Sequence, residues 1–349
     1  MDYYKIFNLY GEEPKQIALH NSSRGDDDLR MVYIIEFANM DKLAIKVTKN
    51  TFTTPKRVKG WAELIKHYNN LGIYCPKIVC DRNGEYCAKV DGYLVFAEEY
   101  MKYKPVAGRD EYETGEYKYK RKLYESIGLV AANPAPLVPW HTAYCIYDKF
   151  DKTDKYDENY ECAIAVRDYY SENIPEHAMY AKKLFEEYCR RRDKFEPIYR
   201  LLPKSVFQGD TNESNILITP TGDFKGMIDF NLSGTEIILN YTFCESFCCL
   251  DDDSEIDLLL DAEALRKRDE RIAQRLAWIG KNYKFTDYER EVFNEYYNIV
   301  APFRWPCHSF FLSLLRNREK YPDGRKYARL ILDWTEYQMT RNDVSSLLP

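Results

Sequence analysis

The chain has 349 residues, of which 45% are hydrophobic, so it is long enough for two domains or for two lobes that share a cleft. Its 50 Lys and Arg residues and 56 Asp and Glu residues give a formal net charge of −6, which disfavours nucleic acid or an anionic membrane as the main partner. No stretch approaches the ~20 apolar residues of a membrane helix, and residues 1–16 contain neither a basic leader nor an apolar signal segment, so we predict a cytoplasmic protein.

The first hundred residues predict a sheet-rich region. Residues 31–37 and 42–48 are rich in β-branched side chains and are joined by a short connection, which indicates a β-hairpin. On the second strand Ala44, Lys46 and Thr48 share one face, so Lys46 is presented beside a small residue. A lysine on an edge strand that points into water is the alternative that these residues leave open.

The segment ahead of this hairpin is a poor phosphate cradle. It contains one glycine, Gly25, and three acids follow it at residues 26–28. A glycine-rich loop, in contrast, lets several backbone amides approach a phosphate closely. No GxxxxGK(S/T) pattern is present anywhere in the chain.

One helix is predicted between Thr54 and Leu71. Thr54 followed by Pro55 is typical of a helix start, and Gly72 is typical of a stop. One apolar face is formed by Val58, Trp61, Leu64, Ile65, Tyr68 and Leu71. Glu63 lies ~140° away from the first of them, on the polar side, so we expect it to be solvated.

The chain changes character after a predicted strand at residues 93–100. The hydrophilic residues 102–116 follow, and a hinge between two lobes would fit there. Apolar residues then recur at helical spacing. Within this helical part, residues 148–161 form a charged insertion that predicts a solvated loop, with a lid over a substrate as the alternative. Residues 190–192 are three arginines that predict the exposed face of a helix.

The ten cysteines predict free thiols in a reducing compartment, because they are scattered through a chain of ordinary size. Cys75, Cys80 and Cys87 match no common zinc spacing. Buried structural thiols are therefore the better interpretation of these three residues.

Residues 206–230, VFQGDTNESNILITPTGDFKGMIDF, contain the most informative pattern in the chain. A turn-prone loop exposes Asp210, and Asn215 follows five residues later. Residues 216–219 and 224–230 predict two strands joined by the turn Pro-Thr-Gly-Asp. The hairpin would place Asn215 and Asp229 side by side at its open end.

Such a set of polar groups suits phosphoryl transfer. One carboxylate, Asp210, could accept the proton of an attacking hydroxyl, while the oxygens of Asn215 and Asp229 are hard ligands for Mg²⁺. An ordinary hairpin with an Asx-type loop is the structural alternative.

The segments QGDTNESN and MIDF resemble the HGDxxxxN and IDF signature of the aminoglycoside phosphotransferase and choline kinase-like family. That family consists of small-molecule kinases with a protein-kinase-like fold. The usual histidine of the signature is Gln208 here. The histidine braces the catalytic loop by hydrogen bonds, and a glutamine can also donate and accept them.

The resemblance implies the cofactors and the roles of the residues. ATP or GTP would bind with Mg²⁺, which Asn215 and Asp229 would hold, and Asp210 would act on a hydroxyl of a small molecule that is aminoglycoside-like, an amino alcohol or a sugar. The segment Ala-Ile-Lys matches the kinase strand whose lysine contacts phosphates, which assigns this role to Lys46. The backbone at Glu99 and Met101 would receive the adenine ring.

Two further features of the nucleotide site follow from the same resemblance. The amides of Asn21, Ser22 and Ser23 could face the phosphates while the neighbouring acids point away. A kinase also pairs its lysine with a helix glutamate, and Glu63 is a poor candidate for that pairing. A catalytically silent nucleotide-binding or spore-coat-like scaffold of the same fold is therefore the alternative function.

The predicted fold is α+β with two lobes. Residues 1–101 would form a small sheet-rich N-lobe, and residues 102–349 a larger helical C-lobe with the catalytic loop and the metal-binding hairpin. The C-lobe helices include one with a capping box at Thr286 and Glu289 and a last one at residues 325–339.

An acid-rich segment precedes one of these helices. Its acids are Asp251, Asp252, Asp253, Glu255 and Asp257. With the net negative charge, they predict that the acceptor is a small cationic alcohol or an amino sugar. A solvated helix start, stabilised by the helix dipole, is the alternative.

Overall fold

The computed structural model describes residues 3–11, 14–38, 40–106, 118–247, 249–250 and 253–349. Antiparallel strands dominate the first hundred residues, and helices dominate the remainder. The predicted α+β architecture, with a small sheet-rich part and a larger helical part, is confirmed.

The first part begins with the short helix α1 (Tyr3–Phe7) and contains a six-stranded antiparallel sheet. Its strands are β1 (Pro14–Asn21), β2 (Leu29–Phe37), β3 (Met40–Lys49), β4 (Ile78–Val79), β5 (Ala88–Val90) and β6 (Tyr93–Glu99). The order is β1-β2-β3-β6-β4, and β5 also pairs with β6. The predicted hairpin corresponds to β2 and β3. The sequence did not predict β1, because most of this edge strand is exposed and lacks an alternating pattern.

Alternate residues of β2 and β3 build a small core on one face of the sheet. Tyr33 and Ile35 of β2 and Ile45 and Val47 of β3 are buried there, together with Ile6 of α1. Because side chains alternate along a strand, Ala44, Lys46 and Thr48 of β3 lie on the other face, as predicted.

The helix α2 (Pro55–Asn70) begins at Thr54, whose side chain accepts a hydrogen bond from the amide of Arg57 at 3.3 Å. Its apolar stripe does not join the small core of the sheet. Trp61 and Tyr68 belong instead to a large cluster that includes Phe207 and Phe230. Helix α2 therefore packs onto the second part of the molecule and also, through Trp61 and Phe96 of β6, onto the face of the sheet opposite the small core.

The second part contains the helices α3 (Lys118–Ala132), α4 (Glu158–Asn173), α5 (Pro175–Leu201), α6 (Ile238–Ser246), α7 (Ala262–Ile279), α8 (Asp287–Val300), α9 (Trp305–Arg316) and α10 (Ala328–Thr340). Short strands accompany them: β7 (Lys104–Pro105), β8 (Lys204–Phe207), β9 (Ile216–Ile218), β10 (Phe224–Met227) and β11 (Gly234–Ile237). The predicted capping box of Thr286 and Glu289 opens α8. Among the described helices, none is both long and apolar enough to cross a membrane.

The predicted hairpin is fixed against the segment that follows α2. The amide of Tyr74 donates to Lys225 O at 3.1 Å, and the amide of Met227 donates to Tyr74 O at 3.0 Å. Gly226 lies between these two hydrogen-bonded residues, and an added Cβ there would lie 1.7 Å from Tyr74 O. Only glycine permits this approach, which holds the hairpin at the floor of the cleft.

The prediction of a solvated loop at residues 148–161 holds only in part, since residues 149, 152, 153, 155 and 156 are exposed while residues 151 and 157 are buried. Asp157 is buried, caps α4 and forms an ion pair with the buried Arg192, which also lies over the ring of Tyr147 at 4.3 Å. The backbone oxygen of Phe150 accepts from Arg57 of α2. The prediction of an exposed Arg192 is wrong for the same reason, since a buried carboxylate and an aromatic ring compensate its charge.

The cysteines of the described residues are all free thiols, as predicted. Cys75 is buried, but Cys80 is exposed and Cys87 is only partly buried, so the prediction of three buried thiols holds for the first alone. No group of three His, Cys, Asp or Glu residues in the described part of the chain could hold a metal.

Candidate active site

The loop between β8 and β9 presents Asp210 at the mouth of a sharp turn. Gly209 precedes it with a φ of +81°, and a Cβ at this position would lie 2.6 Å from Leu232 O. The left-handed conformation and the close backbone contact both require glycine. The chain direction therefore reverses immediately before the acid.

Gln208 connects this loop with the segment after β10. Its side-chain amide donates to Ile228 O at 2.9 Å and to Asp229 O at 2.8 Å, and its Oε1 accepts from the amide of Asp210 at 2.7 Å. Its own amide donates to the hydroxyl of Tyr68 in α2 at 3.1 Å. The fully buried Gln208 thus braces both acid-bearing segments, as its capacity to donate and accept allows.

Two amides hold the carboxylate of Asp210. Asn212 donates to Oδ1 at 2.6 Å, and Asn215 donates to Oδ2 at 2.9 Å. Burial raises the pKa of Asp210, as does the charge of Asp229, while the hydrogen bonds from the amides oppose the rise. The carboxylate is therefore held in one orientation, with a pKa above that of an ordinary aspartate.

Asn215 and Asp229 lie side by side at the open end of the hairpin. The amide of Ile228 donates to Asn215 O at 2.9 Å. The predicted strand at residues 224–230 ends earlier, at Met227, and the carbonyl oxygens of the next two residues accept hydrogen bonds from Gln208. Asp229 adopts a φ of +59°, a strained conformation for a residue with a Cβ and one that is frequent at functional sites.

Lys46 extends from β3 to two carboxylates. Its Nζ lies 2.9 Å from Glu98 Oε1 and 3.4 Å from Asp229 Oδ1. Burial lowers the pKa of Lys46, but the two carboxylates outweigh it and raise that pKa above its usual value, so the lysine is a cation. Glu63 of α2 is exposed, as predicted. The sequence did not reveal Glu98 as the partner, because the two residues meet only through the pairing of β3 with β6.

The oxygen atoms around Asp229 fit a magnesium ion. Asn231 donates its side-chain amide to Asp229 Oδ2 at 3.3 Å, but its own Oδ1 is buried and has no hydrogen-bond partner. An orphaned buried oxygen is unfavourable unless something binds it. Mg²⁺ binds carboxylate and amide oxygens alongside phosphate oxygens and water. The candidate ligands of this type are Asn231 Oδ1, Asn215 Oδ1 and the Asp229 carboxylate.

A cavity of about 120 Å³ lies next to these residues. Its lining includes Lys46, Glu98, Asp229, Asn231, Ser22 and Arg30, but neither Asp210 nor Asn215. The cavity therefore borders Lys46 and two of the metal-binding candidates, Asp229 and Asn231, while Asp210 and Asn215 lie outside its lining.

The turn before β2 is not a free amide cradle, contrary to what the resemblance suggested. The amide of Ser22 donates to Arg30 O at 3.0 Å, and that of Ser23 donates to the side chain of Asn21, also at 3.0 Å. Asp28 does not point away either, because it pairs with Arg30. The amides of Ser22 and Ser23 are therefore already bonded within the turn and are not free to face a phosphate.

The end of β6 leaves one backbone amide available at the expected adenine position. The amide of Glu99 donates to Lys77 O at 2.9 Å, and that of Tyr100 donates to Lys42 O at 3.0 Å. The amide of Met101 has no hydrogen-bond partner in the described part of the chain. Neither Glu99 nor Met101 lines the cavity of 120 Å³.

Glu245 of α6 is a second acid near Asp210 that the sequence analysis missed. Its carboxylate accepts a hydrogen bond from the hydroxyl of Thr211. Burial raises the pKa of Glu245 to about 7, against the opposing effects of Thr211 and Arg304. Helical periodicity places this residue on α6 but gives no sign that α6 packs beneath the catalytic loop.

The acid-rich segment at residues 251–257 is described only in part. Asp251 and Asp252, and the side chain of Asp253, lie outside the described residues. Asp257 is exposed on a 3₁₀ turn and accepts a hydrogen bond from the hydroxyl of Tyr327 at 3.1 Å. The hydrogen bond from Tyr327 accounts for the acid at this position, so no ligand is needed to explain Asp257.

Comparison with known proteins gives structural matches only. No protein-family model matches the chain, and no curated protein matches its sequence. An amicoumacin kinase in complex with AMP-PNP, Ca²⁺ and Ami is similar in structure, with a TM-score of 0.55 and 14% sequence identity over 99% of this chain and 96% of that chain.

Two other solved structures are similar over the same extent. A microcompartment-associated aminopropanol kinase has a TM-score of 0.54 and 12% identity over 97% of this chain and 98% of its own. A spectinomycin phosphotransferase in complex with ADP and spectinomycin has a TM-score of 0.52 and 10% identity over 99% and 97%. The chain therefore has the fold of these small-molecule kinases, which confirms the fold that the signature in residues 208–230 predicted.

Proposed function

We propose that the protein transfers the terminal phosphoryl group of ATP or GTP to a hydroxyl of a small molecule. One observation carries the proposal. Gln208 joins the backbones of Asp210 and Asp229, and Lys46 reaches Asp229 from the sheet, so that a proton acceptor, a metal ligand and a phosphate-binding cation form one bonded network. The fold that the chain shares with three kinases supports the proposal, but a shared fold does not by itself assign an activity.

Asp210 would orient the acceptor hydroxyl and receive its proton. Because Asn212 and Asn215 fix both carboxylate oxygens, the group is oriented before a substrate arrives. The same Asn215 would bind the metal through its other side-chain atom, Oδ1, which accepts only a 3.4 Å contact from Ser214. One residue would thus couple the position of the acid to the position of the metal.

Asp229, Asn215 and Asn231 would hold Mg²⁺ together with the phosphates of the nucleotide. When bound, Mg²⁺ supplies positive charge that stabilises the negative charge on the phosphate oxygens. Lys46 would add a further positive charge on the sheet side of the cleft. The amide of Met101 and the backbone of Glu99 would receive the purine.

The acceptor is proposed to be a small cationic alcohol or an amino sugar. The net charge of −6 favours a cation, and Glu245 places a second carboxylate beside the loop that carries Asp210. The similar structures include kinases named for amicoumacin, spectinomycin and aminopropanol. An acid near the reacting hydroxyl could bind the ammonium group of such a compound.

A screen of purified protein with ATP or GTP and Mg²⁺ tests the activity. Amino sugars, amino alcohols and neutral sugars are offered as acceptors, and product formation is measured. We expect Asp210→Asn to reduce turnover by about 10²- to 10⁴-fold with nucleotide affinity nearly unchanged. The matched control is Asp223→Asn, the same substitution at an exposed position of the hairpin turn, which should behave like the wild type.

Three results would contradict parts of the proposal. Near-wild-type turnover of Asp210→Asn would remove Asp210 from the chemistry. Phosphorylation of neutral or anionic alcohols, with amino compounds untouched, would refute the cationic acceptor. Nucleotide binding with no transfer to any acceptor would favour the scaffold. The bonded amides of Ser22 and Ser23, and the pairing of Lys46 with Glu98 of a strand instead of a helix glutamate, also support that alternative.

A further inference from the structure

We infer that Glu98 of β6, and no residue of α2, is the positioning residue for Lys46 in nucleotide binding; this inference rests on the proposed function. Lys46 Nζ and Glu98 Oε1 are 2.9 Å apart, and the two side chains are 17% and 12% exposed. A pair of such length and burial is a charge-assisted hydrogen bond that solvent screens little.

The pairing of β3 with β6 creates this contact. Lys46 lies opposite Phe96, and Ala44 lies opposite Glu98, so all four side chains share one face of the sheet. Because alanine is small, the carboxylate of Glu98 has room to turn diagonally towards the lysine. The ring centroid of Phe96 lies 5.7 Å from Nζ and supports the cation from below.

Helix α2 has no group that could do the same. Its single acid, Glu63, is exposed on the far side of the helix. The cavity wall that α2 provides is Trp61, which is 2% exposed and contacts Phe96 with ring centroids 5.8 Å apart. Among the residues of α2, the cavity lining therefore receives an indole ring and no carboxylate.

Glu98 also keeps Asp229 available for a metal. Lys46 Nζ is 2.9 Å from Glu98 but 3.4 Å from Asp229, so Glu98 is the closer of the two anions that share the cation. Without the charge of Glu98, Lys46 would be drawn to Asp229, and the carboxylate proposed to bind Mg²⁺ would be neutralised. Because β3 and β6 are neighbouring strands, the Lys46–Glu98 geometry is set by the sheet and does not depend on the orientation of α2.

Calorimetric titration of the full-length protein with ATP and Mg²⁺, and separately with adenosine, tests the inference. Glu98→Gln keeps the size of the side chain and removes its charge. We expect it to weaken ATP binding about 10- to 100-fold, the range for losing a hydrogen bond between charged groups. Adenosine, which has no phosphates, should bind within about 2-fold of the wild type.

A double-mutant cycle adds a test that a merely structural role would not pass. In a Lys46→Ala background, Glu98→Gln should weaken ATP binding by no more than about 2-fold, because the residue acts through the lysine. Glu63→Gln is the matched control in α2 and should bind ATP like the wild type.

The inference is overturned if Glu98→Gln binds ATP as the wild type does, if adenosine binding weakens as much as ATP binding, or if the two substitutions are additive. It is also overturned if Glu63→Gln reproduces the loss. Each of these results leaves the proposed function standing, since the wild type still binds nucleotide. A wild type that binds no nucleotide overturns the proposed function and the inference together.

Discussion

Replacing Gln208 by leucine should damage stability and the candidate site at the same time. The substitution keeps the side-chain volume close to that of glutamine, so no large cavity forms. It removes the partners of three groups: the amide of Asp210 and the carbonyl oxygens of Ile228 and Asp229. Gln208 is fully buried, so water cannot replace the lost hydrogen bonds.

The structure sets the size of the effect. A buried polar group without a partner costs about 1–3 kcal/mol, so three such groups should lower the free energy of unfolding by at least about 3 kcal/mol. That is a large fraction of the ~5–15 kcal/mol that stabilises a typical protein. Any turnover should fall by about 10²-fold, because Asp210 and Asp229 lose the support that fixes their separation.

Urea unfolding followed by circular dichroism measures the loss. Gln208→His should recover much of the stability, since an imidazole can donate from one nitrogen and accept at the other. Gln274→Leu is the matched control, because the same change at an exposed position of α7 should alter the free energy of unfolding by less than about 0.5 kcal/mol. A Gln208→Leu variant that unfolds within about 1 kcal/mol of the wild type would refute the reasoning.

Three more predictions follow from single features of the structure. Asp229→Ala should abolish the Mg²⁺-dependent part of ATP affinity, and equal affinity with and without Mg²⁺ in the wild type would speak against a metal at this residue. Gly226→Ala should lower the melting temperature sharply, because its Cβ would lie 1.7 Å from Tyr74 O, and an unchanged melting temperature would contradict that contact. Burial raises the pKa of Glu236 to about 7 from 4.5, so its contribution to stability is complete below about pH 4.5 and is lost as the pH rises through 7. Glu236→Gln should therefore reduce this pH-dependent loss, measured by urea unfolding, by up to about 3 kcal/mol. A pH dependence as large as that of the wild type would refute the shift.

The sequence predicted those parts of the site that lie close together along the chain. Asp210, Asn215 and Asp229 occur within twenty residues, and a turn signal between two apolar runs is enough to bring the last two together. The helix α2 could also be predicted from the sequence, because its cap, its apolar stripe and its stop are local features. Gln208 could be suspected of a bracing role but not assigned its three partners.

Contacts between distant segments could not be predicted. The pairing of Lys46 with Glu98 depends on the register of two strands that are about fifty residues apart in the chain, and a single sequence contains no signal for that register. The burial of Arg192 depends on Asp157, which lies in a segment whose charged composition is typical of a solvated loop. In both cases a charged residue is buried because an opposite charge meets it across the fold.

The position of α2 limits how the molecule can be divided. Its apolar stripe is covered from two sides. Trp61 contacts Phe96 of the six-stranded sheet with ring centroids 5.8 Å apart, and the ring centroid of Tyr68 lies 5.3 Å from that of Phe230 in the second part. A fragment that ends at residue 101 would keep the contact with the sheet but lose Phe230 and the rest of the second part, and the newly exposed side of the stripe would favour aggregation. Exchange of the sheet region between homologous proteins would likewise require the helix and its covering surface to be exchanged as one unit.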